Sequence, residues 1–195
     1  MEIVSDSKNK IMYLDIETMY LMTDFPNGWK NPENYRNVKI AELGILQDNK
    51  YTTFEENNIY SLVSEFKKVD LIVGHNINQF DSQVLKYYLD EKIMKEFRNK
   101  LFDTMIEFKK FTPTASWVSL NDIAKRNFGM TKTEESIKIP QMWREGKHDE
   151  VKAYLYNDLL MTEKFYLHGK KGHTFKYEHK EYSKSYGERE VYVRW

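Results

Sequence analysis

The stretch Ile11-Met12-Tyr13-Leu14-Asp15-Ile16-Glu17-Thr18 constrains the fold of this chain more than any other. It reads as a buried β-strand that delivers two carboxylates where the strand ends. Strand side chains alternate between faces, so Asp15 and Glu17 project together while Leu14 and Ile16 point into a core. Two neighbouring acids repel, and a divalent cation is the usual means of holding both ionised in an apolar setting. The same residues also suit an exposed strand end with two solvated acids. The rest of the chain has to discriminate between these readings.

Residues 18–37 follow as a long irregular segment rich in Pro, Gly and Asn turn signals, and a loop of that length is uncommon in a compact domain unless it has a task. Its aromatics Tyr20, Phe25, Trp29 and Tyr35, with Lys30 and Arg36, fit either a surface that stacks on bases or anchors that pin the loop to the body. Val38–Leu46 reads as a second strand, Asn49-Lys50 as a turn, and Tyr51–Phe54 as a third strand. Residues 57–67 have helical spacing. Leu71-Ile72-Val73-Gly74 is a continuous apolar run, as expected of a central strand covered on both faces. A helix is expected over about Asp81–Ile93, then a short strand at Leu101–Thr104 leading into another helix. Thr112-Pro113-Thr114 breaks the chain. Ser119-Leu120-Asn121-Asp122 carries a capping signature for a helix that Phe128-Gly129 stops. A polar stretch, Thr131–Lys138, leads to a long helix over about His148–Leu167. The alternating aromatic and charged tail around Tyr186-Gly187 predicts a β-hairpin. A meander followed by alternating strands and helices indicates an α/β fold, a mixed sheet with helices packed on it.

Composition narrows the function classes. With 195 residues, 41% hydrophobic and 31% charged, the chain suits one domain with a full core. No apolar run approaches the ~20 residues of a bilayer span. Met1-Glu2-Ile3-Val4-Ser5-Asp6-Ser7-Lys8 lacks a signal-peptide pattern, and cysteine is absent. The expectation is a cytoplasmic protein without membrane partners, disulfides or thiolate metal sites. The net charge is zero, but His168–Trp195 holds seven Lys and Arg against four Glu. The lack of a strong overall basic balance argues against tight static duplex binding. It does not argue against an enzyme that touches a few phosphates and binds cations.

Three patterns occur in order: Asp15-Ile16-Glu17-Thr18 at a strand end, Gly74-His75-Asn76 followed by Phe80-Asp81 after the central strand, and Tyr154-Leu155-Tyr156-Asn157-Asp158 in the long helix. Tyr154 and Asp158 are four apart and share a helical face. Singly, each has an ordinary explanation: Asp81 as a helix-start residue, Asp158 as a solvated acid, Tyr154 as a core edge, Asn76 as a turn. Together they resemble the three motifs of the DEDD exonucleases, the DnaQ-like branch of the ribonuclease H-like superfamily, in the tyrosine-containing DEDDy subgroup. The resemblance runs from about Ile11 to Tyr166 and is greatest to the proofreading exonuclease domains of family B DNA polymerases and their stand-alone relatives.

That resemblance implies a ribonuclease H-like five-stranded mixed sheet flanked by helices, with an exonuclease domain over residues 1–168 and a basic aromatic hairpin extension over 169–195. It implies Asp15, Glu17, Asp81, Tyr154 and Asp158 as catalytic residues, with the four acids holding two divalent cations, Mg²⁺ or Mn²⁺. Asp15 would bridge them, Glu17 and Asp158 would complete the nucleophile-side ion, and Asp81 would hold the other. Tyr154 would orient the attacking water, and Thr18, His75, Asn76 and Phe80 would contact substrate. The expected reaction is stepwise removal of nucleoside 5′-monophosphates from a single-stranded 3′ end, DNA favoured over RNA. The setting would be a bacterial or phage-infected cell, with a replication or repair protein as a conceivable partner. An RNA exonuclease and a non-catalytic binding module on the same fold stay open. A zinc site at His168, His173 and His179 is weak without cysteine or regular spacing, and surface positions on the hairpin are expected for them.

Overall fold

In the computed structural model, which describes residues 9–112, 118–181 and 184–195, five strands form one sheet: β1 (Ile11–Thr18), β2 (Ile40–Gln47), β3 (Lys50–Phe54), β4 (Leu71–Gly74) and β5 (Leu101–Asp103). Their spatial order is β3-β2-β1-β4-β5. The first three strands form an antiparallel meander, whereas β4 runs parallel to β1 and β5 parallel to β4. This follows from the connections, because parallel neighbours need a crossover and the helical segments between them provide it. The β2–β3 turn is centred on Asp48-Asn49, one residue earlier than expected. Both have positive φ (49° and 62°), as two-residue hairpin loops require. The five-stranded mixed sheet flanked by helices is the fold class read from the sequence.

The helices are α1 (Asn34–Asn37), α2 (Leu62–Phe66), α3 (Asp81–Leu85), α4 (Glu91–Arg98), α5 (Thr104–Lys109), α6 (Leu120–Phe128), α7 (Ile139–Arg144) and α8 (His148–Lys170). The expected helix over Asp81–Ile93 is two helices. The Asp90 carboxylate accepts from the Ile93 amide at 2.9 Å and starts α4 afresh as its N-cap. Between the polar stretch and α8 lies α7, not expected from the sequence, which carries Pro140 in its first turn. The loop over 18–37 contains two short 3₁₀ turns as well as α1. The expected break at Thr112-Pro113-Thr114 lies largely outside the described residues, as does the leader Met1–Lys8.

The sheet is buried on both faces. Met12, Leu14 and Ile16 join a core with Phe66, Val84, Leu85, Met94 and Phe97 on the side of α2, α3 and α4. Tyr13, Leu46 and Val73 pack with Leu159 and Tyr166 of α8 on the other. Each fully buried side chain of this size contributes about 1.5–3 kcal/mol. The buried positions of α8 recur as Val151, Tyr154, Leu155, Asp158, Leu159, Met161, Thr162, Phe165, Tyr166 and Gly169. They form one helical stripe, and Asp158 lies within it rather than on the solvated side.

The expected hairpin forms from β6 (His173–Glu181) and β7 (Lys184–Val193). It is a wall of the core rather than a loose arm. Phe175, Tyr177 and Val193 are buried with Phe108, Ile123 and Phe165, and the Trp195 indole donates to the Tyr166 carbonyl at 3.0 Å. Gly169 makes this seating possible, since a β-carbon there would come within 2.2 Å of the indole. His179, expected at the surface, is buried instead, because strand alternation turns it to the face that carries Phe175 and Tyr177.

Candidate metal centre

The fold brings the acids together where β1 ends. Opposite Asp15 in register stands Gly44 of β2. A β-carbon on Gly44 would lie 2.9 Å from Leu155 Cγ, so the missing side chain lets α8 settle close to the sheet on the face that Asp15 shares. The register slips between Glu17 and Thr18, a bulge of the kind often found beside active sites. Ligand oxygens of Asp15, Glu17 and Asp158 lie within 4.8 Å of one another. Asp81, the first residue of α3, stands outside this trio but is buried; it feels the charge of Asp15, and Glu17 feels that of Asp81.

Burial, then repulsion by Asp158, pushes the Asp15 carboxyl up to about 7 against the pull of Lys132. Burial and the charges of Asp15 and Asp158 hold Glu17 well above the carboxylate range. Burial and Asp15 do the same for Asp81, and burial raises Asp158 despite Lys132. Tyr154 is 1% exposed, and burial with the nearby Glu17 and Asp158 charges raises its phenol, which therefore stays protonated at neutral pH.

Lys132 was invisible as a site residue in the sequence, where it is one lysine of a polar stretch. Its ammonium bonds Asp158 Oδ2, the Tyr154 hydroxyl at 2.6 Å and Ser136 Oγ at 3.3 Å. Ser136 Oγ also meets the Tyr154 hydroxyl at 2.8 Å. Burial would lower the ammonium pKa, but Asp158, Tyr154 and Glu17 outweigh it and keep the lysine charged. Asp103 is a second supporting residue beyond the expected set. Its carboxylate N-caps α5 through the Met105 and Ile106 amides and also accepts from the Asn76 and Asn78 amides, both at 3.0 Å. It therefore fixes the loop that carries Asp81. A strand-end Asp before a helix is a recognisable cap, but its bonds to residues 76 and 78 have no sequence signal.

The expected substrate contacts separate into two groups. Phe80 lies on the aromatic edge of the site, with Trp29 and Tyr35 against its ring. Asn76 has a left-handed backbone (φ 64°) and a buried Oδ1 without a partner. Thr18 donates its hydroxyl to the Tyr20 carbonyl at 2.9 Å. His75 is occupied by the protein. Its Nε2 donates to the Val118 carbonyl at 2.8 Å, and its Nδ1 lies 3.0 Å from the Thr104 hydroxyl, whose single proton it shares with the Gly74 carbonyl at 3.2 Å. Burial lowers its pKa to about 4, so the ring is neutral and neither nitrogen is left for a nucleotide.

The donor set fits hard divalent cations. Four acids face one ammonium, all the acid donors are oxygen, and Oδ1 of Asp81 and Oδ1 of Asp158 are buried without a hydrogen-bond partner. An orphaned buried carboxylate oxygen is costly unless something charged completes it. Among the described residues this trio is the one group of acids or histidines at metal-ligand spacing, and the tail histidines form none. Also among them, no helix is long and apolar enough to cross a membrane.

A solved structure similar to this chain is the family B DNA polymerase of the hyperthermophilic archaeon Pyrobaculum calidifontis, with a TM-score of 0.56 and 16% identity. The match covers 80% of this chain and 24% of the polymerase. This chain thus corresponds to about a quarter of that protein, and the likeness is one of fold. No protein-family model and no curated protein matches the sequence.

Proposed function

We propose that this chain is a metal-dependent 3′-to-5′ exonuclease that releases nucleoside 5′-monophosphates from a single-stranded 3′ end, DNA in preference to RNA. The observation that carries this reading is the convergence of the Asp15, Glu17 and Asp158 oxygens within 4.8 Å, with orphaned acid oxygens on Asp81 and Asp158. The fold-level likeness to a DNA polymerase and the order of the three motifs support it.

Asp15, Glu17, Asp81 and Asp158 would hold two Mg²⁺ or Mn²⁺ ions. When bound, such ions acidify the attacking water and neutralise charge at the leaving 3′ oxygen. The rest falls to the chain's own groups. Tyr154, held protonated, is a hydrogen-bond donor and acceptor suited to orienting water, not a base. Lys132 fixes that phenol and Asp158 Oδ2 while leaving Asp158 Oδ1 free for a cation. Asn76 and Phe80 would contact the terminal nucleotide.

Matched 5′-labelled DNA and RNA single strands, incubated with Mg²⁺, with Mn²⁺ and with chelator, test this reading. The expected result is a ladder that shortens from the 3′ end, faster on DNA, and vanishes with chelator. Early release of the 5′ label would overturn the polarity, equal or faster RNA digestion the sugar preference, and no metal-dependent digestion the whole reading.

A further inference from the structure

Trp29 is 59% exposed, yet it does not hang from a loose loop. Asn34 is buried, and its side-chain amide donates to the Pro26 carbonyl at 3.0 Å and the Gly28 carbonyl at 2.8 Å. Asn27 and Gly28 both take positive φ, which turns the chain sharply just before the indole. The Tyr35 hydroxyl donates to the Gln79 carbonyl at 3.1 Å and the Tyr87 hydroxyl to the Pro32 carbonyl at 3.1 Å. The loop over 18–37 is therefore tied to the segment that leads into Asp81. The indole centroid lies 5.8 Å from the Phe80 ring and 6.4 Å from Tyr35, and Phe80 and Tyr35 are 6.3 Å apart. Phe80 immediately precedes the site acid Asp81.

A large apolar ring held rigidly in water forgoes burial of a kind worth a few kcal/mol, and this one stands one aromatic ring from an acid of the site. A cation borders the cluster: the Lys86 ammonium lies 5.9 Å from the Tyr35 centroid, and Lys30 follows Trp29 in sequence. Aromatic faces beside a few cations form the surface that holds single-stranded nucleic acid without base readout.

We propose that Trp29, backed by Phe80 and Tyr35, is a stacking platform for a nucleobase of the single-stranded DNA that enters the acid site. This rests on the exonuclease reading for the direction in which the strand runs, but the stacking can be measured without hydrolysis. Every nucleobase has a π-face, so the platform favours single strands over duplex and is tolerant of sequence.

The test is fluorescence anisotropy of a short 5′-labelled single-stranded DNA with the full chain in chelator, beside a digestion assay with Mg²⁺. Trp29→Ala and Trp29→Leu are expected to weaken binding about 5- to 100-fold, and Trp29→Phe by much less, because only Phe keeps a stackable face. Circular dichroism melting of the variants is expected to match wild type, since the side chain is mostly exposed. Wild-type affinity in Trp29→Ala and Trp29→Leu while the parent digests DNA would overturn the platform and leave the exonuclease reading standing. Weakened binding in a protein that does not digest DNA would support the platform and sink the nuclease. Failure of the parent to bind single strands at all would overturn the platform.

Discussion

Two clusters of charge, one at the end of β1 and one at the seam between α6 and the hairpin, are built on opposite terms. At the seam, Arg126 bonds Asp122 at 2.9 Å, Glu188 at 2.6 Å and Glu178, while Lys176 stands 4.0 Å from Glu188 and 3.9 Å from Glu190. Those acids meet cations supplied by the protein, and most keep contact with water. At the end of β1, four acids share one lysine and two carboxylate oxygens have no partner. Among the described residues, the acids of the seam are matched by protein cations, whereas the acids at the end of β1 outnumber theirs. An excess of buried acids over cations, rather than the number of charged residues, marks the end of β1 as the candidate cation site.

The largest expected effect breaks that asymmetry at its centre. Asp15→Ala or Asp158→Ala is expected to reduce nuclease activity below detection in a gel assay; the melting temperature in chelator should hold or rise in Asp15→Ala, which relieves repulsion, and fall in Asp158→Ala, which leaves the Lys132 ammonium without its carboxylate. Wild-type-like digestion by either variant would place the chemistry elsewhere. Lys132→Met is expected to slow turnover about 10–100-fold, the usual cost of losing the group that orients a ligand. Tyr154→Phe should be milder, about tenfold, since water retains its other contacts. Steady-state rates at saturating DNA rank these four variants.

The surplus charge should also be visible without any substrate. The Asp15 carboxyl is raised from 3.8 to about 7, mainly by burial, so between those values the native state keeps a proton that the unfolded chain has released. Its contribution to stability is fully present below about 3.8 and is lost as pH rises to about 7. Glu17, Asp81 and Asp158 shift in the same direction. In chelator the melting temperature is therefore expected to fall by several degrees over that window, at about 2–4 °C per kcal/mol for a chain of this size. Saturating Mg²⁺ or Mn²⁺ should restore it, most strongly at the alkaline end; a pH-independent melt in chelator would contradict the surplus.

The smallest effect belongs to the seam. Arg126→Ala is expected to cost about 1–2 kcal/mol, because the network is partly exposed and screened. It should leave nuclease activity per folded molecule unchanged and the metal response intact, as read by denaturant melts with and without Mg²⁺.

Local pattern carried much of the architecture. Alternation along Ile11–Thr18 placed Asp15 and Glu17 on one face, and the spacing of Tyr154 and Asp158 placed them on one stripe of α8. The break at Asp90 and the presence of α7 were harder to read, because a single cap or proline outweighs helical periodicity over only a turn or two. Lys132 lies 22 residues from Tyr154 and 26 from Asp158 along the chain, in a stretch whose composition is that of a solvated loop. His75 had the opposite problem: it sits inside a motif, yet the fold engages both ring nitrogens with protein.

The sequence by itself determined which residues share a strand face or a helix stripe, since those relations depend on backbone repeat alone. Only the tertiary structure decided that the Asp15, Glu17 and Asp158 oxygens converge, that Lys132 neutralises one acid, and that the hairpin closes a core. The physical reason is that charge, burial and packing act through space. Whether an acid is a solvated surface group or an unsatisfied ligand depends on which distant segments the fold sets around it.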